Sequence, residues 1–427
     1  MSEAQTPSFT KEMMAEYTLL MPEMAPVQFR LLKDALESSG YRRVELIGPA
    51  SSPDAVNRGL QYVHNDTCYP ALIIAGQFLE ALDSGKYDLD HTALVISQSG
   101  GGCRASNYIK LLRKALIKAG YEKIPVVSFN VSGLEKNSSL PLSLPLILKC
   151  LAAVEYGDLL MLCANQTRPY EINSGDTDRL LESWLEKAGG MLRGNRDWLP
   201  HSYARVFRQI CADFASVEVK RTDRTRVGVV GEIYVKFSPS GNNDLQKFLE
   251  SQNCEVRMPG LMGYVEYCCA NYHLDYQYYG MNRVKGNLAA VLLRFFDSID
   301  RQMAKAASSY GFKGPESFLE TMKKPEGILD LGTKMGEGWL LTAEMISLIQ
   351  EGYPNIVCAQ PFGCLPNHIA GKGVIGRIRS RWPEANITPV DYDPSAAKVN
   401  QENRLRLMIS VAREKEKGIR PVNNQVY

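Results

Sequence analysis

Residues 93–103 have the sequence ALVISQSGGGC, and residues 356–368 have the sequence IVCAQPFGCLPNH. In each stretch a short apolar run, which predicts a buried strand, ends in a glutamine, a glycine-containing turn and a cysteine. Ligands of α/β proteins bind at the carboxyl edge of the sheet, where such a turn presents a thiolate and several backbone N–H groups. The two stretches therefore predict an α/β fold with a site for an anionic ligand that binds sulfur.

The chain contains two similar halves. Each begins with the pattern strand, helix, strand, and continues with a helix, a strand with its cysteine turn, another helix and a final strand. In the first half, the predicted strands are residues 17–21, 44–47, 93–97 and 125–129, and helices are predicted at residues 27–39 and 71–82. In the second half, the predicted strands are residues 226–230, 254–258, 356–359 and 387–391, and helices are predicted at residues 244–251 and 340–350.

We therefore predict two similar doubly wound domains of the Rossmann or flavodoxin type, with the ligand cleft between them. The N-terminal α/β domain is residues 1–146, and the C-terminal α/β domain is residues 226–427. Residues 147–225 are predicted to form a helical connector with turns at Gly189-Gly190 and Asn195. A helical insertion within the C-terminal domain is predicted at about residues 273–324.

The composition excludes several classes of protein. Of the 427 residues 45% are hydrophobic, and 49 basic residues nearly balance 47 acidic ones. A net charge of +2 gives no electrostatic reason to expect nucleic acid or an anionic membrane as a partner. The N-terminus lacks the features of a secretion signal, and the most apolar stretch, residues 140–163, contains two prolines and three charged residues. We expect a cytoplasmic protein that neither spans a membrane nor binds nucleic acid.

Three of the ten cysteines are candidate metal ligands. Without an export signal the thiols are expected to be reduced, which leaves metal binding or simple packing as their roles. The first half has the sequence NDTCYP at residues 65–70, where the second half has MGEGW at residues 335–339. If both sheet edges meet in one cleft, they bring together Cys68, Cys103 and Cys364, and Glu337 stands where a fourth thiol would be.

Several residues beside these cysteines could complete the site. The backbone of Gly100, Gly101 and Gly102 can approach a ligand closely and donate N–H groups to it. A surrounding layer of polar groups is predicted from Gln98, Asn107, Gln360 and Asn367. Their alternative role is hydrogen bonding of the strand ends. Glu337 and His368 are candidates for proton transfer, with the capping of a helix as the alternative for each.

The sequence resembles a known family through motifs that occur in order along residues 17–408. These motifs are NDTCYPA, QSGGGCRASNY, RPYE, GEIYV, GEGWLL and QPFGCLPNH. Together they are similar to the 2-hydroxyacyl-CoA dehydratase superfamily, and specifically to stand-alone relatives of the C-terminal region of large acyl-CoA dehydratase activases. Double-cubane cluster proteins are more distantly similar.

The resemblance implies an iron–sulfur cluster bound by Cys68, Cys103 and Cys364. In the dehydratases three cysteines bind a four-iron (4Fe-4S) cluster, whereas the double-cubane relatives use a larger eight-iron cluster. An ATP-hydrolysing activase or reductase would be the partner, together with a homologous second subunit or a second copy of the chain. The sequence has no Walker-type phosphate-binding loop, so ATP hydrolysis is expected in another polypeptide.

Three functions follow from this resemblance. The favoured one is an iron–sulfur redox protein that accepts low-potential electrons from an ATP-dependent activase for reductive or dehydratase-like chemistry. The second is a subunit of a 2-hydroxyacyl-CoA dehydratase, which eliminates water by a radical route. The third is a non-catalytic cluster carrier or scaffold.

Overall fold

Two four-stranded parallel sheets form the framework of the chain. The computed structural model describes residues 9–64, 66–97, 102–129, 140–194 and 196–418. The first sheet has the order β2-β1-β3-β4, formed by β1 (Thr18–Pro22), β2 (Arg43–Ile47), β3 (Thr92–Ser97) and β4 (Val126–Phe129). The second has the order β6-β5-β7-β8, formed by β5 (Thr225–Gly231), β6 (Cys254–Arg257), β7 (Asn355–Pro361) and β8 (Asn386–Tyr392). The predicted α/β class is confirmed, and the same strand order occurs twice.

The central strands are buried on both faces. Every residue of β7 is buried, and in β3 only the last residue, Ser97, is exposed. Parallel strands with both faces covered consist of continuous apolar runs rather than alternating polar and apolar residues. This is why the two apolar stretches could be predicted as strands from the sequence alone.

The helices of the first half follow the predicted pattern with two additions. They are α1 (Lys11–Met14), α2 (Pro26–Glu37), α3 (Ala55–Tyr62), α4 (Tyr69–Asp83) and α5 (Tyr108–Ala119). The helices α1 and α3 were not predicted. Helix α3 packs on α4 through glycines, because a Cβ on Gly76 would lie 1.7 Å from the carbonyl oxygen of Ala55.

Three further helices lie between the two sheets in sequence: α6 (Leu144–Thr167), α7 (Asp176–Gly194) and α8 (Tyr203–Ala215). The turn predicted at Gly189-Gly190 is wrong, since α7 continues through both glycines. Gly189 instead allows close packing on α2, where a Cβ would lie 2.1 Å from Asp34 Oδ2. The turn predicted at Asn195 lies outside the described residues. None of the described helices has the length and apolar character needed to cross a membrane.

The second half contains nine described helices. They are α9 (Ile233–Phe237), α10 (Pro239–Asn242), α11 (Leu245–Ser251), α12 (Met262–Tyr279), α13 (Arg283–Ser309), α14 (Phe318–Thr321), α15 (Gly338–Gln350), α16 (Ile375–Arg381) and α17 (Lys398–Glu416). The long helices α12 and α13 form a hairpin that packs on itself and, through α13, on α8. Its glycine Gly286 is in close contact with Tyr276, where a Cβ would lie 2.5 Å from that residue's Cβ.

Asp158 on α6 connects the two halves. Its Oδ1 accepts an N–H of the Gln28 side chain on α2 at 2.7 Å and the backbone N–H of Leu261 at 2.9 Å. Its Oδ2 accepts the backbone N–H of Met262, the first residue of α12, at 2.8 Å. Burial raises the pKa of Asp158 and these donors oppose that rise. One carboxyl group therefore holds α6 against a helix of the first half and the start of the hairpin.

Three other carboxyl groups are buried together between α6 and the hairpin. They belong to Glu155 on α6, Glu266 on α12 and Asp300 on α13. A hydrogen bond joins Glu266 to Asp300, whereas neither carboxyl oxygen of Glu155 has a hydrogen-bond partner within the described part of the chain. Burial and the neighbouring carboxyl groups raise the pKa of Glu155 and of Glu266 well above the usual range. Burial, as the largest cause, raises the pKa of Asp300 to about 7.

These carboxyl groups should make the fold less stable as the pH rises. Their pKa values are higher in the folded than in the unfolded chain, so their favourable contribution is complete below the unfolded values and is lost as pH rises through the folded ones. We expect Glu155→Gln, which cannot ionise, to reduce the fall in melting temperature between about pH 5 and about pH 8 by at least about 2 °C. Thermal unfolding followed by circular dichroism measures this, with Glu186→Gln at an exposed position of α7 as the control. An unchanged pH dependence in Glu155→Gln would contradict the expectation.

Candidate functional site

Cys68, Cys103 and Cys364 lie where the carboxyl edges of the two sheets face each other. Cys68 directly precedes α4, Cys103 follows β3, and Cys364 follows β7. Exposure of Cys68 is 4% and that of Cys364 is 6%, whereas Cys103 is partly exposed. The thiol of Cys103 acts electrostatically on both of the others, which means that the three are near one another.

The loops of Cys68 and Cys364 are in direct backbone contact. The backbone N–H of Tyr69 donates to the carbonyl oxygen of Phe362 at 3.1 Å. The next residue, Gly363, has a φ of +76°, and a Cβ there would lie 3.2 Å from Cys68 Cα. Glycine is required here for two reasons, the left-handed conformation and the lack of space.

The loop of Cys103 touches the loop before α15, and glycines again allow the close approach. A Cβ on Gly102 would lie 2.3 Å from Met335 Sδ, and a Cβ on Gly336 would lie 3.7 Å from Cys103 Sγ. Gly336, with a φ of +56°, is also in contact with Pro366. Four loops from the two halves therefore meet at the cysteines.

Each cysteine lies at the beginning of a helical turn, where a nearby backbone N–H lowers the thiol pKa. These N–H groups belong to Ala71 for Cys68, Ala105 for Cys103 and Asn367 for Cys364. Burial has the larger effect in all three cases: it raises the pKa of Cys68 to about 11 and also raises the pKa of Cys103 and Cys364. The hydroxyl of Tyr108, 2.8 Å from Cys68 Sγ, lowers the pKa of that thiol.

Two carboxyl groups, of the buried Glu337 and the partly buried Glu232, lie near the thiols. Glu337 precedes α15, and its Oε1 accepts the backbone N–H of Ile233 at 3.0 Å rather than capping its own helix. Glu232 follows β5, and its Oε2 accepts the backbone N–H of Val235 at 2.9 Å. Burial raises the pKa of both carboxyl groups, and Glu337 raises that of Glu232 further. In turn, both raise the pKa of Cys103 and Cys364.

Sequence reasoning gave no role to Glu232 or Tyr108. Glu232 belongs to the GEIYV motif, and it follows the strand β5 directly. A polar residue at the carboxyl end of a central parallel strand is a signal that could have identified it. Tyr108 begins α5 and carried no comparable signal, since its contact with Cys68 depends on the packing of α5 against α4.

His368 is exposed and contacts Gln360 rather than a thiol. The amide nitrogen of Gln360 lies 2.8 Å from His368 Nδ1 and 2.7 Å from Asp391 Oδ1. Gln360 itself is completely buried at the end of β7. This arrangement places His368 at the outer end of a chain of polar side chains that leads to β8. The role of His368 in proton transfer stays a prediction.

The remaining predicted polar residues are placed differently. Asn367 is buried; its amide nitrogen donates to the carbonyl oxygen of Ala359 at 3.2 Å, and its Oδ1 accepts the Cys358 thiol at 3.3 Å. This is the strand-end role that was the alternative reading of Asn367. Asn107 precedes α5, and its side chain makes no capping bond there. The predicted Gln98, Gly100 and Gly101 lie outside the described residues.

Among the described residues, no group of three or more His, Cys, Asp or Glu side chains is arranged to bind a single metal ion. The ligands of a cluster bind different irons, so their sulfurs lie farther apart than the ligands of one ion.

The mouth of the site is apolar. Four exposed apolar side chains lie on the loops that carry or touch the cysteines: Met335, Phe362, Leu365 and Ile369. Exposed apolar groups in a continuous rim are typical of surfaces that bind another molecule.

No protein-family model matches the sequence, and no curated protein matches it at a significant level. The family resemblance that the cysteine motifs carry therefore remains an expectation.

The contact between Gly363 and Cys68 can be tested by substitution. We expect Gly363→Ala to destabilise the protein by more than the ~1 kcal/mol that the left-handed conformation alone costs, because the methyl group also meets the Cys68 backbone. Gly120→Ala is the matched control, since Gly120 has a φ of +83° with no atom within 4 Å of a Cβ. Urea unfolding measures the loss of stability, and the rate of Cys68 alkylation measures the disturbance of the Cys68 loop. Equal losses of stability in the two variants would contradict the contact.

Proposed function

We propose that this chain is an iron–sulfur redox protein in which Cys68, Cys103 and Cys364 bind a four-iron cluster. The observation that carries the proposal is the convergence of three thiols from two sheet edges, each at the start of a helical turn where a nearby backbone N–H lowers the thiol pKa. N–H donors of this kind stabilise thiolate ligands and tune cluster potentials.

The residues present fit such a group. Without a bound cation, the three thiols share their surroundings with the carboxyl groups of Glu232 and Glu337, and all five pKa values are raised. Positive charge is what would convert these thiols to thiolates, and irons would supply it. Three cysteine ligands leave one iron of a four-iron cluster available to a fourth ligand. An eight-iron cluster shared with a second chain is the larger form implied by the resemblance.

When bound, the cluster would supply one-electron redox chemistry. The chain's own residues would then hold it through the three thiolates, position Cys68 through Tyr108, and keep a proton on Glu232, whose pKa burial raises to about 8. The apolar rim of Met335, Phe362, Leu365 and Ile369 would receive the electron-donating partner, an ATP-hydrolysing activase.

The same proposal includes the finer architecture. We infer that each sheet with its helices is a doubly wound domain, and that residues 147–225 connect the N-terminal domain, residues 1–146, to the C-terminal domain, residues 226–427. Cys68 and Cys103 would then belong to one domain and Cys364 to the other. Ligands of open parallel sheets bind at the carboxyl ends of the strands, where all three cysteines lie.

Metal analysis tests the proposal. Anaerobically purified protein should contain about four irons and about four sulfides per chain, and Cys68→Ser, Cys103→Ser or Cys364→Ser should each remove most of them. Cys150→Ser on α6 serves as the control, because Cys150 lies away from these loops. Native protein that contains no iron, or full iron in all three variants, would overturn the assignment.

A second candidate is a 2-hydroxyacyl-CoA dehydratase subunit, which the carboxyl group of Glu232 favours. Burial, as the largest cause, raises the pKa of Glu232 to about 8, and a carboxylic acid that keeps its proton near neutral pH can protonate a departing hydroxide. We expect Glu232→Gln to lower dehydration of a 2-hydroxyacyl-CoA by about 100-fold or more while the iron content stays unchanged. Failure of the wild-type protein with its activase to bind any 2-hydroxyacyl-CoA would exclude this candidate. A cluster that the activase cannot reduce would instead indicate the third function, a non-catalytic carrier.

A further inference from the structure

Exposed apolar side chains are concentrated on the hairpin of α12 and α13. Ten of the 24 large apolar side chains that are exposed in the described part of the chain lie between Val265 and Phe295. Scattered exposed apolar residues are normal, whereas a continuous group on one element indicates an interaction surface. The hairpin is distinct from the cysteine loops, so this observation does not depend on the proposed iron–sulfur function.

Four of these side chains form a straight stripe along the first half of α13. Val284, Leu288, Val291 and Phe295 follow one another at spacings of four, three and four residues. This is the spacing of the seam by which one helix packs against another. The stripe is well exposed, at 78% for Val284 and 62% for Val291, and it faces away from the core because the opposite side of α13 is buried.

The borders of the stripe are basic. Between residues 283 and 296 the charged residues are Arg283, Lys285 and Arg294, with no Asp or Glu. None of the three forms an ion pair within the described part of the chain. The positive end of the helix dipole adds to this charge at the beginning of α13. Since the whole chain carries a net charge of only +2, the basic border is a local property of this face.

A second copy of the chain does not fit this face. Antiparallel packing of two such stripes pairs Val284 with Phe295 and Leu288 with Val291 of the second copy. The same register places Arg294 of one copy on the same flank as Arg283 of the other, and like charges on one flank disfavour the pairing. A partner with acidic residues at these positions avoids this repulsion.

We propose that the face formed by Val284, Leu288, Val291 and Phe295 docks an amphipathic helix of another protein, whose apolar stripe has acidic residues at its borders. The apolar side chains would provide the contact area, and the basic border would select the partner and its orientation.

A synthetic helix tests the proposal with the full-length protein. The probe is a hydrocarbon-stapled peptide of two heptads, with leucine at the seam positions and glutamate at the flanking positions. A matched peptide has lysine in place of glutamate. In fluorescence anisotropy we expect the acidic peptide to bind at least about tenfold more tightly than the basic one, with an affinity that falls as salt increases.

Two variants define the face. Leu288→Ser combined with Val291→Ser should abolish binding of the acidic peptide, and Arg294→Glu should weaken it by about tenfold. Lys305→Glu, at an exposed position of α13 beyond the stripe, should leave it unchanged. Circular dichroism melting verifies that each variant is folded.

Three results would overturn the proposal. Equal binding of the two peptides, or binding of neither, would show that the face does not select an acidic partner. A dimer in sedimentation that Leu288→Ser with Val291→Ser dissociates would make the occupant a second copy. Binding to vesicles of anionic phospholipid that the same variants abolish, without peptide binding, would assign the face to a membrane surface.

Discussion

The site depends on a backbone contact between the two halves of the chain. The hydrogen bond from the Tyr69 N–H to the Phe362 carbonyl oxygen fixes the beginning of α4 against the loop that follows β7. Gly363 makes that approach possible, because any side chain there would meet the backbone of Cys68. The distance between the thiols of Cys68 and Cys364 is therefore set by main-chain atoms, which are more rigid than side chains. Asp158, deep in the interior, supports the same arrangement by holding α6 between α2 and the start of α12.

Burial of acidic groups is the second constraint. Asp158 has three N–H donors that offset part of the cost of burying its carboxyl group, whereas Glu155 has none among the described residues. Near the cysteines, Glu232 and Glu337 are each stabilised by a backbone N–H, but burial raises the pKa of both and Glu337 raises that of Glu232 further. Groups of this kind lower stability when they ionise, and proteins retain them most often where function requires a held proton or a bound cation. Under the proposed iron–sulfur function, the site would give up some stability for its chemistry.

Much of the fold could be predicted from the sequence, and the reasons are physical. Central parallel strands are buried on both faces, so β3 and β7 consist of apolar runs that a single sequence reveals. The predictions failed where tertiary packing determines the local structure. Gly189-Gly190 resembled a turn, but Gly189 serves close packing on α2. In the site, the cysteines could be identified from their loops. The position of Glu232 after β5 was a signal that was overlooked, and Tyr108 could be recognised only once α5 was packed against α4.

The repeat of the two halves explains why the site is asymmetric. The helix before β3 is α4 and the helix before β7 is α15, so Cys68 and Glu337 occupy equivalent positions at the beginnings of equivalent helices. Likewise Glu23 follows β1 as Glu232 follows β5. Cys103 and Cys364 follow β3 and β7 and complete the correspondence. A fully symmetric arrangement would offer four thiols and close around its ligand. If the three thiols bind the proposed cluster, the carboxyl group at the fourth position leaves one iron open, which a reactive centre needs and a structural metal site does not.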